Sequence, residues 1–320
     1  MSNIIEQQRT GGAMPNLSAY GITSEWQSTA QGPRRMLIVY AHPDDESFGN
    51  AGTIARYTAE GVVVHYACAT RGECGTVAPA FLQGHTDIAA LRSAELACAA
   101  RTLGLAAVHH LNYRDSGMPG SADNQHPAAL IQAPQERVIG QITALMRLLR
   151  PQVVVTFGPY GGYGHPDHIF IHNATVSAFA AAGDPARYPE QITSGLAAWQ
   201  PTRLYYSTFG ARALKLTVAV LRLLGKDPRR FGENQDVDLL RALAEVTPVT
   251  TAIGCGAYLE QKERAWRCHQ SQLGGGIGRL QRLPASIRRL FAGAEYFTRA
   301  VPAWDGRRRR EHDLFEGVVV

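Results

Sequence analysis

Three short apolar runs restrict the folds open to this chain. They are residues 36–41 (Met36 to Ala41), 62–69 (Val62 to Ala69) and 152–157 (Gln152 to Phe157). Each is too short for a buried helix and lacks the polar alternation of a half-exposed strand, so each reads as a strand covered on both faces. A helical pattern follows every one: 47–60 up to Gly61, 86–103 up to Gly104, and 167–182 up to Gly183. A further helix at 135–149 is stopped by Pro151, and His109 to Asn112 read as another short strand. This alternation predicts an α/β fold with a mainly parallel sheet and helices on both faces. Ligands of such sheets sit at the carboxyl ends of the strands.

The 320 residues suffice for one large α/β domain or two small ones, and 45% hydrophobic with 18% charged residues excludes a disordered chain. No apolar stretch approaches the ~18 residues needed to cross a bilayer. Residues 1–20 lack a signal-peptide core, since Ile4 and Ile5 run straight into Glu6, Gln7 and Gln8. A cytoplasmic enzyme is the simplest expectation. The cysteines are Cys68, Cys74, Cys98, Cys255 and Cys268, an odd count without a C-x-x-C pair. Neither a disulfide framework nor a cysteine zinc knuckle is expected, and Cys68 and Cys98 read as small core residues.

Residues 1–33 are polar and contain Gly11, Gly12, Gly32 and Pro33, which predicts a flexible N-terminal arm. Past residue 200 the pattern weakens to a strand at 204–207, a helix at 211–224, an extended stretch at 247–253 and a helix at 256–270. The expected division is an arm at 1–33, a catalytic domain at 34–270 and a basic extension at 271–320. Residues 277–310 carry nine arginines against Glu295 and Asp305, a balance of +7 that leaves −2 for the rest of a chain of net charge +5. A solvated basic tail explains such a run. No nucleic-acid partner and no membrane span are expected, and a homo-oligomer is left open.

Two polar clusters stand at the exits of predicted strands. His42-Pro43-Asp44-Asp45-Glu46 follows the first run, and His165-Pro166-Asp167-His168 follows the last. A catalytic metal takes few protein ligands, leaving a position open for water. His42 and Asp45, three apart across a stiff proline, with His168 from the other cluster, meet that need. Two imidazoles and one carboxylate suit Zn2+, and the same set holds Fe2+. Asp44 is then free to act as the general base, and His165 as general acid or oxyanion partner. The alternative is that both clusters merely open helices, acids and proline being favoured in a first helical turn.

These motifs resemble the PIG-L/LmbE-like family of zinc-dependent N-deacetylases. Ala41 to Glu46 is similar to its A-H-P-D-D-E signature, and Gly161 to His168 to its glycine-led H-P-D-H signature. The resemblance spans roughly residues 34–270. It implies a Rossmann-like fold with a smaller C-terminal subregion shaping the pocket. It also implies a zinc site of His42, Asp45 and His168, with Asp44 as base, His165 at the oxyanion or leaving amine, and Asp167 orienting His165. The nearest branch is that of the mycothiol-pathway enzymes. It implies removal of an acetyl group from an N-acetylglucosamine-type small molecule such as an N-acetylglucosaminyl-inositol, or, as the alternative, amide cleavage of mycothiol-type thiol S-conjugates. In that branch Arg71 and Asp115 lie in loops that meet the sugar, and Tyr163 approaches the substrate carbonyl. Read from the residues alone, Arg71 either offers its fork of donors to hydroxyls or pairs with Glu73. Asp115 either accepts hydroxyls or makes an Asx turn before Ser116 and Gly117. Tyr163, flanked by glycines, either swings over a pocket or plugs an apolar gap.

Overall fold

The computed structural model describes residues 17–27, 32–232, 234–273, 288, 292–306 and 309–319. Eight strands form one sheet: β1 (Thr23–Trp26), β2 (Arg35–Tyr40), β3 (Val63–Thr70), β4 (Ala107–Tyr113), β5 (Val153–Phe157), β6 (Arg203–Thr208), β7 (Thr251–Gly254) and β8 (Ala294–Val301). Their order across the sheet is β1-β4-β3-β2-β5-β6-β8-β7. The five central strands are parallel, as the apolar runs predict, and β1, β8 and β7 join antiparallel. Met36, Leu37, Ile38, Val39, Val153, Val154 and Val155 are buried, which is why those runs carry no polar face.

The helices used below are α1 (Asp45–Ala59), α2 (Ile88–Leu103), α3 (Gln135–Leu149), α4 (Pro166–Ala182), α5 (Ala211–Leu223), α6 (Leu239–Ala244) and α7 (Leu259–Cys268). From β2 the chain winds toward β3 and β4. From β5 it winds the other way, toward β6. Right-handed crossovers therefore put α1 and α2 on one face and α4 on the other. β2 and β5 lie side by side at the reversal, pairing Met36 with Val153 and Ile38 with Val155. This is the switch point where the crevice of an open α/β sheet opens.

Three expectations are corrected. The N-terminal arm is not loose throughout, because Thr23–Trp26 pairs with Ala107–His110 as an edge strand. The C-terminal stretch is not an appendage, because β8 lies between β6 and β7 and completes the sheet. Of its arginines, 279, 282, 289, 307 and 308 lie outside the described residues. Lastly, Cys98 is not a plain core residue: it forms a disulfide with Cys268, 170 positions away, which ties α2 to α7. Spacing rules could not find a bridge that only helix packing creates. No helix among the described residues is long and apolar enough to cross a membrane.

Candidate metal centre

The turn after β2 carries His42 to Asp45, and the loop after β5 carries His165 to His168, so adjacent strand ends deliver both clusters to one place. His42 Nδ1 lies 3.0 Å from His168 Nε2. Asp45 reaches both, with one carboxylate oxygen 3.5 Å from His42 Nδ1 and the other 3.5 Å from His168 Nε2. All three side chains are largely buried.

The other ring nitrogens decide what these atoms present. His168 Nδ1 faces the carbonyl of Gly161 at 3.0 Å, an acceptor with no proton of its own, so Nδ1 holds the hydrogen and Nε2 a lone pair. His42 Nε2 faces Asp167 Oδ2 at 3.2 Å and Asp115 Oδ1 at 3.5 Å, so it too holds the hydrogen and leaves Nδ1 bare. With both rings neutral, two lone pairs and a carboxylate point at one another, Asp45 Oδ2 taking one bond from the His42 amide at 2.7 Å, and the two bare nitrogens repel unless a proton or a metal cation joins them. Ligand atoms about 2.0–2.2 Å from a tetrahedral ion stand about 3.3–3.6 Å apart, which the two 3.5 Å separations meet and the 3.0 Å one approaches. Burial opposes a charge on His42, yet Asp115, Asp167 and Asp45 hold its pKa well above the usual value, a sign of carboxylates in need of a positive partner. The residues present fit a divalent metal.

A second quartet, His42, Asp115, His165 and Asp167, surrounds the far side of His42. Its carboxylates already have partners. Asp167 is fully buried and accepts from the amide of Ser116 at 3.0 Å and from the Ser116 hydroxyl. Asp115 accepts from the amides of Gly117 at 2.9 Å and Cys74 at 3.3 Å. This group holds the His42 ring through Nε2, the way an imidazole that binds a metal is normally held through its other nitrogen. Asp167 differs here from its expected part: its carboxylate holds His42, and only its amide meets His165, donating to Nδ1 at 3.2 Å.

That amide bond leaves His165 with its hydrogen on Nε2, 3.9 Å from Asp115 Oδ1. Burial, then the nearby His42 and His168, push the His165 pKa well below the ordinary value, so the ring is a neutral donor. Its ring centroid is 4.5 Å from that of His42, and the Tyr163 ring stands edge-on to His168 at 5.1 Å. Burial, with the Asp45 charge behind it, raises the Tyr163 phenol.

Asp44 opens α1 but makes no side-chain cap, which removes the helix-start explanation for this carboxylate. Its backbone has φ 126°, a left-handed conformation costly for any residue but glycine. Burial and the Asp45 charge raise its pKa to about 6 against the opposing pull of Arg92. Arg92 is the residue that sequence reasoning missed. It comes from α2, is buried, and donates to Asp44 Oδ2 at 2.9 Å, Pro43 O at 2.6 Å and Gly72 O at 2.9 Å. Its one visible signal was a cation in the Leu91–Leu96 stretch of a helix that must bury a face. A side chain at Gly72, which has φ +69°, would begin 2.0 Å from Arg92 Nη1, so glycine is required there.

Arg71 instead donates to Ser93 Oγ and Asn112 Oδ1, both at 3.2 Å. Glu73 is not its partner, since it accepts from the amide of Asp115 at 2.9 Å. Glu46, the last member of the first cluster, is buried and pairs with His269 Nε2 at 2.7 Å. From β8, Glu295 accepts from the amides of Gly52 at 2.9 Å and Thr53 at 2.7 Å, where α1 breaks at Asn50, and pairs with Lys262 at 2.7 Å. The C-terminal half therefore braces the helix that begins at the metal turn. It also supplies Asp236, Asp238 and Arg241 to a cleft shared with Tyr160, Tyr163 and Phe170.

Among proteins of assigned activity, a 1D-myo-inositol 2-acetamido-2-deoxy-alpha-D-glucopyranoside deacetylase of Streptomyces avermitilis is 36% identical over 295 residues, 89% of this chain and 98% of that protein. The profile of the GlcNAc-PI de-N-acetylase family, PIG-L, matches residues 37–179. The chain belongs to the PIG-L family. A second relative, the enzyme of the same name from Geodermatophilus obscurus, is 37% identical over 249 residues, 75% of this chain and 83% of that one. In three dimensions the chain is similar to N,N'-diacetylchitobiose deacetylase from Pyrococcus horikoshii, with a TM-score of 0.57 and 21% identity over 83% of each chain. At that identity the likeness speaks for the PIG-L fold, with its α/β sheet.

Proposed function

We propose that this protein is a metal-dependent hydrolase that removes the acetyl group from an N-acetylglucosamine-type substrate, 1D-myo-inositol 2-acetamido-2-deoxy-alpha-D-glucopyranoside being the first candidate. The observation that carries this reading is the convergence of His42 Nδ1, His168 Nε2 and the Asp45 carboxylate within about 3.5 Å of one another, the other nitrogen of each ring being held by an acceptor. The substrate class is supported by the relatives, which carry that activity in their names at 36–37% identity.

His42, Asp45 and His168 would hold the ion, and Zn2+ suits the two-imidazole, one-carboxylate set, as does Fe2+. The chemistry such an ion supplies when bound is Lewis acidity, toward a water and toward the acetamide carbonyl. Asp44 takes the proton of the attacking water. With its pKa near 6 it is ionised at neutral pH and still basic enough to accept. Arg92 holds the Asp44 carboxylate and the Pro43 carbonyl in one orientation, so the base does not have to be ordered at each turnover. His165, neutral with hydrogen on Nε2, donates to the charge that develops on the carbonyl oxygen. The proton gathered by Asp44 passes to the sugar nitrogen as the C–N bond breaks, and acetate and free amine leave. Tyr163 closes the ring stack over His165 and His168 and limits water at the reacting carbon.

The test is metal analysis of the purified protein followed by a free-amine assay on N-acetylglucosaminyl-inositol, with a thiol S-conjugate as comparison. We expect about one divalent ion per chain, release of acetate, and loss of turnover on chelation that added Zn2+ restores. A metal-free protein with full turnover would overturn the metal reading. Turnover of the conjugate alone would overturn the substrate class.

A further inference from the structure

Helix α5 has its faces reversed relative to an ordinary surface helix. Among its residues Val218 is buried, and Ala211, Leu214 and Leu221 are half-buried, so this stripe is what seats the helix on the protein. The outward side, where charges belong, instead presents Leu216 at 58% exposure, Val220 at 44% and Leu223 at 87%, spaced i, i+4, i+7 on one line, with Leu224 at 64% beside them. Arg212, Lys215, Arg222 and Lys226 are all exposed. At 100° per residue Arg212, Lys215 and Arg222 project along one flank of that apolar line, and Lys226 follows just past the helix end. Between Glu190 and Asp227 the sequence has no acid. Phe209, 51% exposed, extends the apolar surface beyond the start of the helix, and its ring adjoins Gly162 in the loop that carries Tyr163.

We propose that the outward face of α5 seats the protein on an anionic lipid bilayer surface, its leucines entering the headgroup–acyl boundary and its basic flank meeting lipid phosphates. An amphipathic helix with lysines and arginines on one side and leucine and phenylalanine on the other lies in that interface, and its length does not matter because it does not cross. The charge sign selects anionic lipid, to which each surface cation adds attraction. A second copy of the chain fits the face less well, since antiparallel two-fold pairing of this stripe lays basic flank beside basic flank. The attachment stands apart from the metal centre in its residues, yet through Phe209 it brings the mouth of the cleft close to the lipid surface.

The experiment is flotation of the full-length protein with vesicles of phosphatidylcholine alone and of phosphatidylcholine with about one-third phosphatidylglycerol. The protein is expected to float with the anionic vesicles at 0.1 M salt, at least tenfold more than with neutral ones, and to release at 0.5 M salt. Leu216→Ser with Leu223→Ser is expected to cut the floating fraction at least tenfold, and Lys215→Gln with Arg222→Gln to do the same. Both double variants should keep the melting temperature and the turnover of a water-soluble N-acetylated substrate. No flotation at low salt overturns the proposal, as does flotation that survives the leucine substitutions. A dimer in sedimentation equilibrium that the leucine substitutions dissociate also overturns it, in favour of a second copy as the occupant.

Discussion

Asp167→Asn separates two roles for one buried carboxylate. Asp167 accepts from the Ser116 amide, the Ser116 hydroxyl and His42 Nε2, and is fully buried. The amide replacement keeps one acceptor for Ser116 but removes the charge that fixes the His42 hydrogen on Nε2 and so bares Nδ1 for the ion. One charge-assisted bond contributes about 1.5–3 kcal/mol, which at ~1.4 kcal/mol per tenfold predicts roughly a 10–150-fold weaker hold on the metal. Measured losses for partners of this kind run about 10–100-fold. The assay is Zn2+ affinity by competition with a chromophoric chelator. Thermal unfolding of the metal-free protein checks that the variant folds. Turnover at saturating metal should recover most of the loss. If affinity stays at the wild-type value while the pH profile of turnover shifts, the carboxylate acts on His165, and the reasoning from His42 is wrong.

Other consequences are as direct. Asp44→Asn should retain the metal and lower turnover about 10²–10⁴-fold, the usual contribution of a general base; near-normal turnover would remove Asp44 from the mechanism. Gly161→Ala places a methyl group 2.6 Å from His168 Cβ at φ +64°. It should cost about 1–2 kcal/mol for the left-handed residue and displace His168, read as a lower melting temperature together with weaker metal binding. The edge of the sheet buries His65 against His109, with Nδ1 and Nε2 3.1 Å apart, and burial pushes the His65 pKa down to about 3. A histidine with a depressed folded pKa stays neutral in the native state while the unfolded chain protonates. Stability is therefore full above pH 6.5 and falls as pH drops toward 3. At pH 4.5, two pH units below the unfolded value of about 6.5, the loss from His65 is ~2.7 kcal/mol at about 1.36 kcal/mol per pH unit. Urea midpoints across pH 7 to 4.5 would show it, and a His65→Gln variant should flatten the profile; a flat wild-type profile would refute it.

Much of the site could be read locally. His42 and Asp45 are three residues apart across Pro43, so whatever fold follows must hold them within a few ångströms, and an apolar run before each cluster puts each at a strand end. The parallel centre of the sheet was legible for the same reason, since Met36 to Tyr40 and Val153 to Phe157 have no polar face to give to water. What no local pattern holds is strand order. His42 and His168 meet because β2 and β5 are neighbours at the sheet's reversal, a relation between residues 126 apart. The roles of Asp167 and Arg92 follow from the same fact: a buried carboxylate or guanidinium takes whichever partner packing brings, Ser116 and His42 for one, Pro43 and Asp44 for the other. The Cys98–Cys268 bridge, the entry of β8 into the sheet and the bare outward face of α5 likewise arise only when distant segments dock. The sequence by itself determined the candidate ligands, the candidate base and the strands that carry them, because these are set by short-range spacing and by burial. The tertiary structure decided which groups orient those ligands and which surface is left uncovered, because both are matters of contact between segments far apart along the chain.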